Sequence, residues 1–384
     1  MLLMLAVLPV LPALPGVPVL PLSPRLPVLP VAWAASPSTP YPGAIVTLDS
    51  PPPLYLAESF TYTESGPPLL FSDQPEYVRG EGILARGTFA PGAWRLFVYH
   101  VNQDSGLAKY FPVVVRNLSD KDVTVVVHRE GVRGPSTGYN WVGQEALRAF
   151  LLSNQPRRIV IPAGGWALLD PVGLSRPVGE NQLIEGLYEG EVDGPVEMLV
   201  LATNGLDDLE PDRFHPYEVD PGKNMRGTFP SADRYVELEW KGGEEQGIWL
   251  FASGKYYDPF QVGRDELDGN TRMNFGNYGV IYHITLRLRS EERQRVRVLF
   301  GSGSGCGFAG AIRITAGPQA GRVVRIPETP RRTFPGYGRE MSFLAQFELE
   351  PGKEVVYGFD FMPPGASCLP ALLVVDPLPQ ETEQ

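Results

Sequence analysis

Turn-forming residues are dense along the whole of this chain. There are 42 glycines and 40 prolines among its 384 residues. Because proline breaks a helix interior and glycine weakens it, this density excludes an all-α bundle or a coiled coil. Hydrophobic residues make up 43% of the sequence, which is enough for a buried core and too much for intrinsic disorder. The sequence therefore favours short strands joined by turns.

Prolines recur at every third position near the N-terminus, from Pro9 to Pro30, mostly with Leu, Val and Ala between them. Interior prolines at this spacing exclude a membrane-spanning helix. The apolar stretch ends in a small-x-small motif at residues 32–34, which is typical of signal-peptide cleavage. We therefore predict an export leader over residues 1–34. The alternatives are a low-complexity repeat and a misassigned start codon.

Charge and termini indicate the cellular setting. The net charge of −11 argues against a general nucleic-acid binder, because such a protein needs a basic surface to displace counterions. The segment 377–384 is polar and carries no hydrophobic anchor. We expect a secreted or cell-surface protein with no transmembrane helix in the mature chain. Its oligomeric state stays open.

The two cysteines, Cys306 and Cys368, are each placed in a predicted loop. In an oxidising compartment they are expected to form a disulfide, and the alternative is a pair of free thiols. Two cysteines and four scattered histidines do not make a zinc motif. The sequence predicts no metal and no cofactor.

Alternating apolar segments separated by turns continue through both halves of the chain. This pattern predicts an all-β fold of two antiparallel β-sandwich domains, Ig-like or jelly-roll-like, with one short helix in the first. An acidic stretch without periodicity divides the two halves. The predicted order is an export leader at 1–34, a Pro/Ser-rich lead-in at 35–53, a first β-sandwich domain at 54–204, an acidic linker at 205–224, a second β-sandwich domain at 225–376 and a disordered tail at 377–384.

One helix and two hairpins are predicted in detail. The helix covers residues 141–152, with Asn140 as its N-cap. Residues 110–118 and 123–128 flank a polar turn and predict the first hairpin. In the second half, apolar residues alternate on both sides of Glu291 and Glu292, which predicts a second hairpin.

In the second hairpin we expect Leu286 to pair with Val298 and Leu288 with Val296. This register places four arginines on one face, and they are a candidate site for an anionic polymer such as a cell-wall phosphate chain. The alternative is a solvated or interdomain face that acidic residues neutralise. The four are Arg287, Arg289, Arg295 and Arg297.

Tyr256, Tyr257 and Phe260 form a second candidate site in a predicted loop. Flat aromatic rings on a β-sandwich commonly stack on sugar rings, and they are equally common as core residues. These three rings are therefore candidates for an exposed carbohydrate-binding surface, with burial in the core as the alternative.

Other chemical motifs are absent or incomplete. The glycine-rich run 301–310 is followed by a predicted strand and no lysine, so it does not match a phosphate-binding loop. Residues 265–270 lack the closing glutamate of a calcium loop and predict a polar turn. His100 is expected to make a local hydrogen bond, with metal ligation as the alternative. Carboxylates are abundant, but the sequence does not single out a catalytic pair.

Part of the chain resembles uncharacterised secreted proteins of Gram-positive bacteria, some of which are labelled copper amine oxidase N-terminal (stalk) domain proteins. The resemblance is carried by NYGVIYH at 277–283 and GFAGA at 307–311, and by LFVYH at 96–100 and VRN at 115–117. It covers about a third of the chain. It implies export, β-sandwich modules and a cell-surface setting. The chain carries neither the stalk repeat nor an oxidase domain, so copper and oxidase activity are not implied.

Together these observations predict an exported, non-enzymatic β-sandwich protein of the cell envelope. It would act as a binding or structural module, with a cell-wall polysaccharide or an anionic polymer as its partner. The alternative is a secreted carbohydrate-active hydrolase whose paired carboxylates converge only in the folded protein.

Overall fold

The computed structural model describes residues 39–219 and 225–379. The predicted export leader at 1–34 lies outside the described residues, as does most of the predicted tail, and both stay predictions. All described residues belong to one compact unit. Within these residues, no helix is long and apolar enough to cross a membrane.

The first half of the described chain is made of short strands and one helix, α1, over Tyr139–Leu152. Its strands are β1 (Ile45–Thr47), β2 (Thr61–Ser65), β3 (Leu69–Ser72), β4 (Tyr77–Val78), β5 (Gly82–Phe89), β6 (Gly92–Asn102), β7 (Val113–Asn117), β8 (Val123–Ser136), β9 (Arg157–Ile161), β10 (Trp166–Leu168), β11 (Leu183–Val192) and β12 (Val196–Ala202).

The second half is made of strands joined by loops. They are β13 (Gly227–Phe229), β14 (Asp233–Trp240), β15 (Gly247–Phe251), β16 (Val262–Arg264), β17 (Thr271–Met273), β18 (Ile281–Leu288), β19 (Gln294–Ser302), β20 (Gly310–Ala316), β21 (Val323–Ile326), β22 (Glu340–Leu349), β23 (Val355–Phe361) and β24 (Ala371–Leu378). Single 3-10 turns occur at Leu54–Leu56 and Pro211–Arg213.

These strands form four sheets among the described residues. Sheet I has the order β10-β7-β12-β5, and sheet II has the order β17-β16-β13-β3-β6-β11-β8-β9 with β4 beside β6. Sheet III has the order β2-β14-β18-β23-β20-β21, and sheet IV has the order β1-β22-β19-β24-β15. Most pairs are antiparallel, while β3 and β4 run parallel to β6, and β14 runs parallel to β18. The predicted all-β sandwich fold with one helix in the first half is confirmed.

Two large cores lie between these layers. Apolar side chains of sheets I and II form the first core, for example Val115 of β7 and Val125 of β8. Sheets III and IV enclose the second core, which continues onto α1 and onto the opposite face of sheet II. The centre of sheet II is therefore buried on both faces, which explains the almost continuous burial along β6 and β11.

The borders of the sheets do not coincide with the predicted domain limits. β2 and β3 lie in the predicted first domain, yet they pair with β14 and β13 of the predicted second domain. β1 lies in the predicted lead-in and pairs with β22. In the predicted linker, Leu209 and Phe214 are buried on the outer face of sheet I. The two halves of the chain thus share sheets, and the predicted limits stay a prediction.

Both predicted hairpins are wrong. β7 pairs with β10 and β12 in sheet I, whereas β8 pairs with β9 and β11 in sheet II. Likewise β18 belongs to sheet III and β19 to sheet IV, so Leu286 and Val298 are not paired. Both residues nevertheless belong to the same core. An alternating strand specifies which face is buried, and it meets this requirement equally well beside a neighbour or across a sandwich.

The helix is confirmed, with a different start. It begins at Tyr139 rather than at residue 141, and Gly138 occupies the N-cap. Asn140 is therefore not the cap, and its amide instead donates a hydrogen bond to the carbonyl oxygen of Ala366. Gly143, inside the helix, lies against the backbone of Gly365.

The disulfide between Cys306 and Cys368 is confirmed, with their Cα atoms 5.7 Å apart. It closes a loop with a sequence separation of 62, which is worth about 4 kcal/mol by the chain-entropy argument. The bond joins the loop after β19 to the loop before β24. The amide of Cys368 also donates to the carbonyl oxygen of Gly307, so these two loops are held together by both bonds.

Candidate functional site

The loop between β3 and β4 forms one wall of an acidic pocket. β3 and β4 both run parallel to β6, so the connecting residues 73–76 cross the end of sheet II. Asp73 and Glu76 lie in this loop and line the pocket, beside Phe97 and Tyr99 of β6. All four belong to the predicted first domain.

Glu185 lies beneath the pocket. It occupies a position on β11 directly opposite Tyr99 on β6, so their side chains share one face of sheet II. Its side chain has 0% exposure, and its carboxylate forms no ion pair and no side-chain hydrogen bond, so the backbone amide of Gly365 is the polar group that acts on it. The carboxylate faces Gly365 of the pocket wall, where an added Cβ would lie 2.2 Å from Oε2. Only a glycine at residue 365 leaves room for this carboxylate.

Residues of the second half complete the pocket, which has a volume of about 290 Å³. Phe275 lies at the mouth with 50% of its surface exposed, and Tyr278 is more deeply placed. The hydroxyl of Tyr278 donates to the carbonyl oxygen of Ser367 at 2.8 Å. Because Ser367 adjoins Cys368, the disulfide holds this rim in place. Met225, Gly365 and Ala366, with Gln74 of the loop between β3 and β4, supply the remainder.

Burial and like charges disfavour ionisation throughout this cluster. Burial raises the pKa of Glu185 to about 8, although the nearby amide of Gly365 partly opposes this. Burial, followed by the charges of Glu76 and Glu185, raises the pKa of Asp73 well above its usual value. The pKa of Glu76 is also raised by burial, against a hydrogen bond from Tyr99. Glu185 therefore retains its proton at neutral pH.

Other buried carboxylates among residues 39–219 and 225–379 have partners. Asp258 forms an ion pair with Arg234 at 2.5 Å, and Asp265 forms one with Arg226 at 2.7 Å. In contrast, no described Lys, Arg or His forms an ion pair with a carboxylate of the pocket. Arg133 lies opposite Glu185 on β8, but its guanidinium donates to the carbonyl oxygen of Val132. The cluster thus holds carboxyl groups that have no basic partner, which is why burial raises their pKa values.

The pocket does not have the geometry of a metal site. No group of three or more His, Cys, Asp or Glu side chains within the described ranges is placed to hold a metal ion. Phe97 and Phe275, which offer no ligand atom, form part of the wall. The arrangement instead combines proton-donating and hydrogen-bond-accepting carboxyl groups with flat apolar surfaces. It can hold a small polar ligand against Asp73 and Glu76.

The predicted aromatic site lies elsewhere, in the loop between β15 and β16. Tyr256 is 87% exposed and borders a groove that Tyr55 also lines. Tyr257 is half-buried, with its ring 5.3 Å from that of Phe60. Phe260 packs edge-on against Phe275, 5.6 Å away, and so supports the mouth of the acidic pocket. The three residues divide between two surfaces, and their role in binding stays a prediction.

The predicted arginine face is not one surface, because its members belong to two sheets on opposite sides of a core. Arg287 lies on β18 of sheet III and contacts Glu237 and Glu354, and Arg289, just after that strand, also contacts Glu354. Arg295 and Arg297 lie on β19 of sheet IV, where Arg297 pairs with Asp376 at 2.6 Å. The expected single face depended on the hairpin register, which the sheets do not have.

Two other sequence motifs have structural partners. His100 is buried, with Nε2 2.8 Å from the hydroxyl of Ser72 and Nδ1 2.8 Å from the carbonyl oxygen of Pro75. Burial lowers its pKa to about 3. The calcium-like segment 265–270 joins β16 to β17, and its Asp268 pairs with Arg272.

Sequence reasoning missed the acidic pocket, because Asp73, Glu76 and Glu185 are far apart along the chain. One signal was available. Glu185 alternates with Leu183 and Leu187, which share its face of β11 and belong to the second core. A carboxylate at an inward-facing position of a buried strand indicates either a partner or a functional site.

Comparisons with known proteins add little. No protein-family model matches the chain, and no curated protein matches it. Among solved structures, the CUB1-EGF-CUB2 domain of human MASP-1/3 is 10% identical, with 76% of this chain and 99% of that chain covered and a TM-score of 0.18.

A second solved structure, an oxalate decarboxylase–formate complex from Lactobacillus farciminis, is also 10% identical. The comparison covers 87% of this chain and 86% of that chain, with a TM-score of 0.15. Likenesses this low carry no argument about fold or function. The resemblance to secreted Gram-positive proteins stays a prediction.

Proposed function

We propose that this protein is an exported ligand-binding module of the bacterial cell envelope, and that the acidic pocket is its binding site. One observation carries the proposal: Glu185 is fully buried without a basic partner, next to a cavity that Asp73 and Glu76 line. An unpaired buried carboxyl group costs folding stability, so a site that retains one is a candidate for function.

The lining of this pocket also indicates which of the two predicted partners fits it better. Its carboxylates would repel an anionic polymer, whereas the hydroxyl and amino groups of a polysaccharide could donate hydrogen bonds to them. The aromatic walls offer flat apolar surface for a sugar ring. A cell-wall polysaccharide is therefore the better of the two predicted partners for this site.

A pulldown with purified bacterial cell walls tests this proposal. The pocket variant Asp73→Asn/Glu76→Gln is compared with Asp120→Asn/Glu244→Gln, which makes the same chemical changes at exposed positions. We expect the wild type and the control variant to sediment with the walls and the pocket variant to remain in solution. Equal sedimentation of all three proteins, or of none, would refute the proposed function.

A second candidate function is a hydrolase that cleaves envelope polysaccharide. The pair Asp73 and Glu76 favours it, because both carboxyl groups line one cavity and burial raises the pKa of each. A protonated carboxylic acid beside a second carboxylate is the arrangement that glycoside hydrolysis uses. The alternative predicts that the wild type releases reducing ends from cell walls and that Asp73→Asn/Glu76→Gln does not. No release by the wild type would eliminate it.

A further inference from the structure

We propose that the group recognised in the acidic pocket is an organic ammonium, that is, a protonated amine carried on a small molecule or on a sugar unit of the envelope. This inference rests on the proposed function and specifies the ligand of the same site. Two features of the pocket carry it: the uncompensated carboxyl groups and the aromatic wall.

The carboxyl groups of the pocket indicate the charge of its ligand. Asp73 and Glu76 line the cavity and Glu185 lies beneath it, while no described basic side chain pairs with any of the three. A cation in the cavity would pair with Asp73 and Glu76 and favour their ionised forms, which burial otherwise disfavours. A neutral ligand could donate hydrogen bonds to these carboxyl groups, but it would not favour their ionised forms.

The wall indicates which kind of cation fits. Phe97, Tyr99, Phe275 and Tyr278 share the lining with the carboxyl groups, and no group of three or more His, Cys, Asp or Glu side chains among the described residues is placed to hold a metal ion. Aromatic rings attract an ammonium group through their negative faces, and they also contact its apolar substituents. An organic cation can therefore pair with the carboxyl groups and also contact the aromatic rings through its apolar substituents, whereas a bare metal ion has no such substituents.

Size limits the ligand. A cavity of about 290 Å³ lies at the lower end of the range for small-molecule sites, so it admits one small ring or a short chain. The exposed ring of Phe275 at the mouth leaves the cavity open to solvent. A single amino-sugar unit at the end or side of a polymer can thus enter without the whole polymer being buried.

The experiment compares glucosamine with N-acetylglucosamine, which keep the sugar ring and differ in the charge on nitrogen. Dissociation constants are measured by ligand-observed NMR at pH 6.5 for the wild type, for Asp73→Asn and for the exposed control Asp120→Asn. We expect glucosamine to bind the wild type and the control at least about tenfold more tightly than N-acetylglucosamine, the effect of one charge-assisted hydrogen bond. Asp73→Asn should lose most of this difference.

Two results would overturn the inference: equal affinity for the two sugars, or an unchanged preference in Asp73→Asn. The cell-wall pulldown separates this failure from failure of the proposed function. If the walls still select the wild type over the pocket variant while the two sugars bind equally, the pocket binds envelope material by another chemistry. If the pocket variant sediments like the control, the proposed function itself fails.

Discussion

At the scale of single residues, Glu185 is unusual because it is a buried carboxyl group without a basic partner. Buried carboxylates such as Asp258 and Asp265 are stabilised by arginine. Glu185 is also buried but has no arginine partner, and burial raises its pKa to about 8 from an ordinary 4.5. The folded protein therefore keeps a proton that the unfolded chain releases in neutral solution.

This linkage predicts the pH dependence of stability. Between about pH 4.5 and 8 the folded state binds more protons at Glu185 than the unfolded state, so the free energy of unfolding falls as pH rises through this range. Glu185→Gln removes the titration. We expect the variant to melt at a higher temperature than the wild type at pH 8, by an amount equivalent to roughly a few kcal/mol, and to show little gain at pH 5.

Thermal melts at pH 5, 6.5 and 8 provide the measurement, with Glu244→Gln as the exposed control. Hydrogen bonds to Asp233 and Asp360 outweigh burial and raise the pKa of His283 to about 9, which also makes stability fall with rising pH. His283 is present in all three proteins, so the difference between them isolates Glu185. Parallel curves for wild type and variant would show that Glu185 ionises normally.

At the scale of elements, α1 connects sheet II to the loop that forms the pocket rim. Gln144 donates to the carbonyl oxygens of Gly310 and Ile326, and Glu145 pairs with Arg325. Gly143 allows the close approach, because a Cβ at this position would lie 2.0 Å from the carbonyl oxygen of Gly365. The helix is therefore positioned by tertiary contacts at the expense of its own propensity.

Gly143→Ala tests whether the tertiary contact at this position outweighs helix propensity. In an isolated helix the change would stabilise by about 0.5–1 kcal/mol, since alanine is the better helix former. Here the new methyl group meets backbone, which cannot rotate away, so we expect a lower melting temperature and weaker ligand binding. Gly301→Ala on β19 is the control, because its Cβ would have no neighbour closer than 3.6 Å. A melting temperature raised by Gly143→Ala would contradict the close packing.

At the scale of the whole molecule, a buried ion network joins the two halves of the chain. Arg95 of β6 is 1% exposed and pairs with Glu189 of β11 and, at 2.9 Å, with Asp233 of β14. Its guanidinium also donates to the carbonyl oxygens of Ala232 and Gly279. Together with the shared sheets, these contacts make the halves one packed structure.

We expect Arg95→Met to destabilise the protein by about 1–3 kcal/mol, because Glu189 and Asp233 would lose their shared cation and keep only Arg129 and His283 as basic partners. Since the halves share sheets, unfolding should remain a single transition at a lower temperature. Calorimetry measures both quantities, with Arg158→Met at an exposed position of β9 as the control. Two separate transitions in the wild type would show that the halves are independent domains.

Much of the local structure was predictable from the sequence. Period-two apolar patterns located the strands, helical spacing located α1 within two residues, and Cys306 and Cys368 had no competitor for pairing. These are properties of neighbouring residues or of composition. The face that each strand buries follows from its own side chains, as Leu286 and Val298 show by meeting in one core.

Which strand lies beside which was decided only by the tertiary structure. A strand buries the same face whether the next strand pairs with it or crosses to the opposite sheet. The sequence pattern therefore does not distinguish these two arrangements. The acidic pocket has the same origin. Asp73, Glu185 and Gly365 are separated by more than a hundred residues along the chain, and only the packing of sheet II against the second half brings them together.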